Sequence, residues 1–147
     1  MVTNIDKYLL NDKIILLLGN KSRRNTYTIM GMTIIYKNKK IEKDFSSKYK
    51  KLWKYPSEVK RKLEAIENFI KSSNSFKDLA NYPTLHLERL KGNRKNEWSI
   101  RVGNTGYRIT LIPCDDEQNE LIDGDILNRC EFIKIVKITE VSKHYGQ

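Results

Sequence analysis

Apolar and polar positions alternate between two regimes along this chain, helical spacing in the first half and strand-like alternation in the second. A short amphipathic start leads into the continuous apolar run of residues 14–18, which reads as a strand, and then into a basic, polar stretch at 21–28. Residues 32–36, Met-Thr-Ile-Ile-Tyr, read as a strand running into a lysine-rich segment at 37–54. Within that segment Ile41, Phe45, Tyr49 and Leu52 fall on one side of a helix predicted from Asn38, a good N-cap, to Trp53. Pro56 halts what precedes it. Ser57 is a second capping residue and Glu58 suits a first turn. Val59, Leu63, Ile66, Phe69 and Ile70 then make one apolar stripe of a helix over 57–71. Lys60, Arg61, Lys62, Glu64 and Glu67 fall mainly elsewhere. The run Ser-Ser-Asn-Ser at 72–75 ends it, and 76–80 add a short turn.

Beyond Pro83 the period changes to two. Trp98, Ile100 and Val102 alternate with Ser99 and Arg101, Gly103-Asn104-Thr105-Gly106 supplies a tight reversal, and Tyr107, Ile109 and Leu111 alternate with Arg108, Thr110 and Ile112. A further isoleucine-rich strand is expected over 132–139. Helices followed by consecutive strands predict an α+β fold, an N-terminal helical hairpin packed on one face of a small antiparallel sheet. The other face would carry Ser99, Arg101, Arg108 and Thr110. Trp98 and Tyr107 alternate in phase with aliphatic neighbours and belong to the core, and Trp53 staples the hairpin. An acidic loop, 113–130, interrupts the strands; its aspartates are too irregularly spaced for a calcium loop and read as solvated.

Charge changes the picture. The net charge is +10, and six of the 18 acids lie between Asp115 and Asp125, leaving the rest of the chain more basic still. Such a body is drawn to a polyanion, although a lysine-rich soluble protein would look the same. Three basic clusters, Lys37 with Lys39 and Lys40, Lys48 with Lys50 and Lys51, and Lys60-Arg61-Lys62, read equally as phosphate-tracking surface or as solvated faces. No apolar run reaches membrane-spanning length and none has a secretory cleavage site. Cys114 and Cys130 lie in no zinc-binding context, and two thiols in a reducing cytoplasm are the expectation. Neither a metal nor a cofactor is implied.

The segment Leu87-Glu88-Arg89-Leu90-Lys91-Gly92-Asn93-Arg94-Lys95-Asn96-Glu97-Trp98-Ser99-Ile100-Arg101 resembles the centre of the HigB branch of the RelE toxin superfamily. There, a strand ending in Leu-Lys-Gly passes through a charged turn into Trp-Ser-Ile-Arg. Tyr107-Arg108-Ile109-Thr110, a last strand, and Lys143-His144-Tyr145-Gly146 follow in the family's order. The resemblance spans roughly residues 32–147. It implies a toxin domain there, with 1–31 as an extension or the product of a start placed too far upstream.

The resemblance further implies a toxin that cuts messenger RNA in the ribosomal A site without a metal: the ribose 2′-hydroxyl attacks the adjacent phosphorus and the 5′-oxygen leaves. That chemistry needs a proton acceptor, a proton donor and positive charge near the phosphorane. Arg108 matches the family's strand arginine, and Lys91 the lysine near the scissile phosphate. His144 and Tyr145 are the acid–base candidates. Arg101, Arg94, Lys95 and Lys143 are expected to steer RNA. Each has a plainer reading: Arg108 as a paired strand arginine, Lys91 as a solvated turn lysine, His144 and Tyr145 as packing for the chain end.

Two departures matter. Glu88 stands where many relatives have histidine, so Glu88, or His86 two residues earlier if that stretch is extended, would take its role. The family's terminal Asp-Tyr-His is here Lys143-His144-Tyr145. A gyrase-binding ParE-like toxin and a catalytically silent RNA-binding or phage regulatory module therefore remain as rivals. The partner implied is a helix-turn-helix, HigA-like antitoxin, acidic where it meets this surface.

Overall fold

A computed structural model describes residues 5–10, 13–18, 26–46, 54–122 and 124–143. Three strands come first, β1 (Ile5–Leu10), β2 (Lys13–Leu18) and β3 (Thr26–Met30), an antiparallel meander in the order β1-β2-β3. The apolar run at 14–18 lies within β2, but strand also forms over the second half of the polar 21–28 segment, which local polarity disguised. The second sheet has the order β4-β8-β7-β6-β5, built from β4 (Thr33–Tyr36), β5 (Glu88–Arg89), β6 (Trp98–Arg101), β7 (Tyr107–Cys114) and β8 (Ile135–Lys143). It is mixed rather than antiparallel, because β4 lies parallel to β8, with Thr33 opposite Ile135 and Tyr36 opposite Ile138.

Helix α1 (Lys39–Phe45) begins as predicted, with Asn38 Oδ1 accepting from the Ile41 N–H at 3.0 Å. It ends far sooner than the expected Trp53. Ser46 already has extended backbone, φ −79° and ψ 126°, and a serine pair competes poorly with the helical backbone. Residues 47–53, including Tyr49, Leu52 and Trp53, lie outside the described residues, so the predicted hairpin is not shown. Helix α2 (Ser57–Ser72) matches its periodicity: Val59, Leu63, Ile66 and Ile70 are buried, and Phe69 is partly so. Each such side chain stabilises the fold by about 1.5–3 kcal/mol relative to exposure. Lys60 breaks the pattern. It is fully buried and donates to the Asp44 carbonyl of α1, so it belongs to no phosphate-tracking surface. Burial lowers its pKa. The expected turn at 76–80 is a one-turn helix, α3 (Phe76–Ala80).

One core joins these helices to the sheet, with Ile41, Phe45, Leu63, Ile70, Phe76 and Leu79 packed with Trp98, Ile100, Ile109, Leu111, Val136 and Ile138. Trp98 meets Phe76 edge-on at 5.4 Å, and Tyr107 meets Tyr55 likewise at 5.5 Å, both as core aromatics. The acidic loop departs from its predicted span: β7 continues through Pro113 to Cys114, and a short helix, α4 (Ile126–Arg129), capped by Asp125, precedes a 3₁₀ turn. The last strand begins at Ile135 rather than 132, since Phe132 sits in that turn with 70% of its surface exposed. Cys114 and Cys130 are buried free thiols.

Candidate functional site

Register determines what the sheet's second face carries. β6 pairs with β7 through Ser99–Thr110 and Arg101–Arg108, and β7 pairs with β8 through Arg108–Ser142 and Thr110–Glu140. Because alternate residues share a face, these side chains point away from the core that Ile100 and Ile109 enter. Glu88, opposite Ser99, and Glu97 extend the same face. The predicted membership of Ser99, Arg101, Arg108 and Thr110 therefore holds, although Ser99 and Thr110 are buried, flanked in their row by Glu88 and Glu140. A bulge in β8 leaves Thr139 over; its hydroxyl donates to the Thr110 carbonyl at 3.2 Å.

Two arginines thus pair across the β6–β7 ladder, an arrangement that costs stability unless an anion lies near. Arg101 reaches one carboxylate at the limit of an ion pair, Glu88 at 3.9 Å, with both side chains about half exposed. Arg108 is half-buried and has no hydrogen-bond or ion-pair partner among the described residues. A planar, permanently charged fork without an acid is suited to hold two oxygens of a phosphate.

The charged turn after β5 supplies Lys91, which is exposed and immediately precedes a 3₁₀ turn whose first residue, Gly92, has φ 71°. This turn is fastened from both sides. Arg89 Nε donates to the Lys95 carbonyl at 2.6 Å, and its guanidinium lies 5.8 Å from the Trp98 ring centre. Arg94 donates to Glu97 at 2.5 Å and to Glu140 on β8 at 3.0 Å, and these two carboxylates raise its pKa further. Arg94 is therefore engaged with acids, whereas Lys95 is exposed. In sequence Arg94 reads as an RNA-steering residue; its three-residue spacing to Glu97 is the signal for a local pair, whereas Glu140, from a distant strand, carries none.

Other candidates separate. His86 is exposed and left-handed, φ 46° and ψ 52°, closing the 3₁₀ turn Pro83–Leu85. The stretch is not extended there, so His86 does not share a strand face with Glu88. Lys143 pairs with Tyr107 and lies 5.9 Å from its ring, on the face opposite to Arg108. His144 and Tyr145 lie outside the described residues. Among the described residues no cluster of three or more His, Cys, Asp or Glu side chains is placed to hold a metal ion, and no helix is long and apolar enough to cross a membrane.

A family model of HigB-like toxins, described as the RelE-like toxin of the type II toxin–antitoxin system HigB, matches residues 35–124. The chain belongs to the HigB-like toxin family. It is thus a toxin of a type II system, which implies a cognate antitoxin. No curated protein and no solved structure matches the chain. The matched span of this HigB-like toxin takes in Glu88, Lys91, Arg101 and Arg108 and stops short of β8 and of the chain end.

Proposed function

We propose that this HigB-like toxin is a ribosome-dependent endoribonuclease that cleaves messenger RNA by metal-independent attack of a ribose 2′-hydroxyl on the adjacent phosphodiester. The new 2′-oxygen–phosphorus bond displaces the 5′-oxygen, leaving a cyclic phosphate and a 5′-hydroxyl. The message provides its own nucleophile, so no activated Ser or Cys is needed; the protein supplies charge, proton transfer and orientation. Arg108 binds the phosphate oxygens as charge accumulates, Arg101 and Lys91 add to the local field, and Lys95 steers the strand; Lys143, on the opposite face, takes no part. Proton acceptor and donor come from Glu88, His144 and Tyr145. The supporting observation is Arg108, without an acid partner among the described residues, set against Arg101 on the face turned away from the core.

Primer extension on a cellular messenger after brief expression tests this reading, with Arg108→Ala and His144→Ala in parallel. New 5′ ends inside translated codons are expected for the wild type. Loss of one phosphate-clamping guanidinium should reduce cleavage by roughly 10²–10³-fold. Intact messages together with stalled gyrase would replace the nuclease by a gyrase poison. Full cleavage by Arg108→Ala would remove the proposed site.

A further inference from the structure

Beside Arg101, where α2 passes the C-terminal end of β6, the structure holds a groove of about 310 Å³. Its walls are Ala65, Ile66 and Phe69 from α2 and Tyr82 and Leu85 from the segment before β5. Lys62 and Arg101 are the charged residues lining it, and both are basic. Among the described residues each makes a long ion pair with an acid more than half exposed, Lys62 with Glu58 at 3.6 Å and Arg101 with Glu88 at 3.9 Å. Such contacts contribute little and yield readily to a better-placed carboxylate. Tyr82 is 43% exposed, and one face of its ring is occupied by Phe69, stacked at 4.5 Å. With aliphatic walls on the other sides, the groove suits a Leu, Ile or Phe side chain better than a nucleobase.

We propose that this groove is the docking site of the cognate antitoxin, which inserts an apolar anchor side chain between α2 and Tyr82 and sets flanking carboxylates on Lys62 and Arg101. An apolar pocket flanked by two weakly paired cations fits an acidic segment carrying one large apolar residue. Docking there also engages Arg101, directly opposite Arg108, so the anchored segment discharges half of the arginine pair without having to cover Arg108. The proposal rests on the family assignment and, for this last consequence only, on the nuclease reading.

Ala65 and Thr84 line the groove and are exposed, so Ala65→Glu and Thr84→Glu place a repelling charge there without disturbing the core. Each variant is expressed alone and with the antitoxin encoded in the same operon, and the purified antitoxin is titrated against each purified toxin. Both variants should arrest growth alone, escape neutralisation, and bind the antitoxin at least about ten-fold more weakly. Unchanged affinity, with neutralisation equal to wild type, overturns the proposal. A variant that is folded by circular dichroism, binds antitoxin normally and no longer cleaves message would assign the groove to RNA and overturn it as well. A wild-type chain that leaves growth untouched would count against the nuclease reading, while the affinities still decide the groove.

Discussion

An arginine on a sheet face is ordinarily matched by an acid on the next strand, and the register around Arg108 withholds one: its neighbours are Arg101 on one side and Ser142 on the other. That placement was legible, because strand alternation alone puts both arginines on one face. Lys60 was not legible. Nothing in its sequence position distinguishes it from Arg61 and Lys62; the Asp44 carbonyl that accepts from it, and the carboxylates of Glu64, Asp44 and Glu67 nearby, are what accommodate a buried ammonium. Residues of this kind have measurable consequences. Tyr36 donates to Glu67 at 2.5 Å and Tyr55 to Asp44 at 3.0 Å; burial first, then these carboxylates, push both phenols far above their ordinary value of 10.0. In the unfolded chain they ionise near pH 10, while the folded protein keeps both protons. A pKa raised by folding contributes stability that is complete below pH 10 and lost as pH rises beyond it. Lys60, with its pKa lowered, acts in the opposite sense as pH rises towards 10.5. Urea midpoints should therefore fall steeply above pH 10. A Tyr36→Phe, Tyr55→Phe double variant should be about 1–3 kcal/mol less stable at pH 7 but fall more gently. An equally steep fall in the double variant would place the titrating groups elsewhere.

Elements divide by how local their determinants are. Helix α2 and the β6–β7 reversal came straight from spacing and from two glycines, Gly103 at φ 52° and Gly106 at φ 82°. The parallel pairing of β4 with β8 could not, since it unites strands from the two ends of the domain and leaves no signature in either. The same holds for the turn that presents Lys91. Its charged residues look like an RNA-binding loop in sequence, yet Arg94 crosses to Glu140 on β8 and Arg89 holds the Lys95 carbonyl. Arg94 on this account positions Lys91 instead of touching phosphate. Arg94→Ala should cost only about 0.5–1 kcal/mol of global stability, because the pairs are partly exposed. Amide exchange across residues 91–97 should nonetheless quicken, and message cleavage should drop. The dependence of RNA binding on salt is the discriminating measurement: its slope should stay unchanged, whereas removal of a phosphate contact lowers it by nearly one.

At the scale of the molecule, the two sheets share no ladder among the described residues. There the meander β1-β2-β3 is paired within itself, and the family match begins inside β4. The expectation that residues 1–31 stand apart from a toxin domain thus becomes a question of which contacts cross the junction. Gly31 is one. Its φ of +103° excludes most side chains, and a Cβ there would lie 2.1 Å from the Lys71 carbonyl oxygen at the end of α2. Met32, the next residue, is completely buried. The junction is thereby packed against the end of α2 and the core, and a shortened chain must keep it. A chain running from Met30 to the C-terminus should unfold cooperatively and remain toxic, with a melting temperature within about 4–8 °C of the full chain, the shift that corresponds to about 1 kcal/mol in a domain near this size. Gly31→Ala in the full chain should do more harm than that entire deletion, at least about 2 kcal/mol, because no relaxation of a flexible side chain can relieve a clash with backbone. If the shortened chain instead loses its cooperative transition while Gly31→Ala is tolerated, the meander is integral to the fold and the division at residue 31 is wrong.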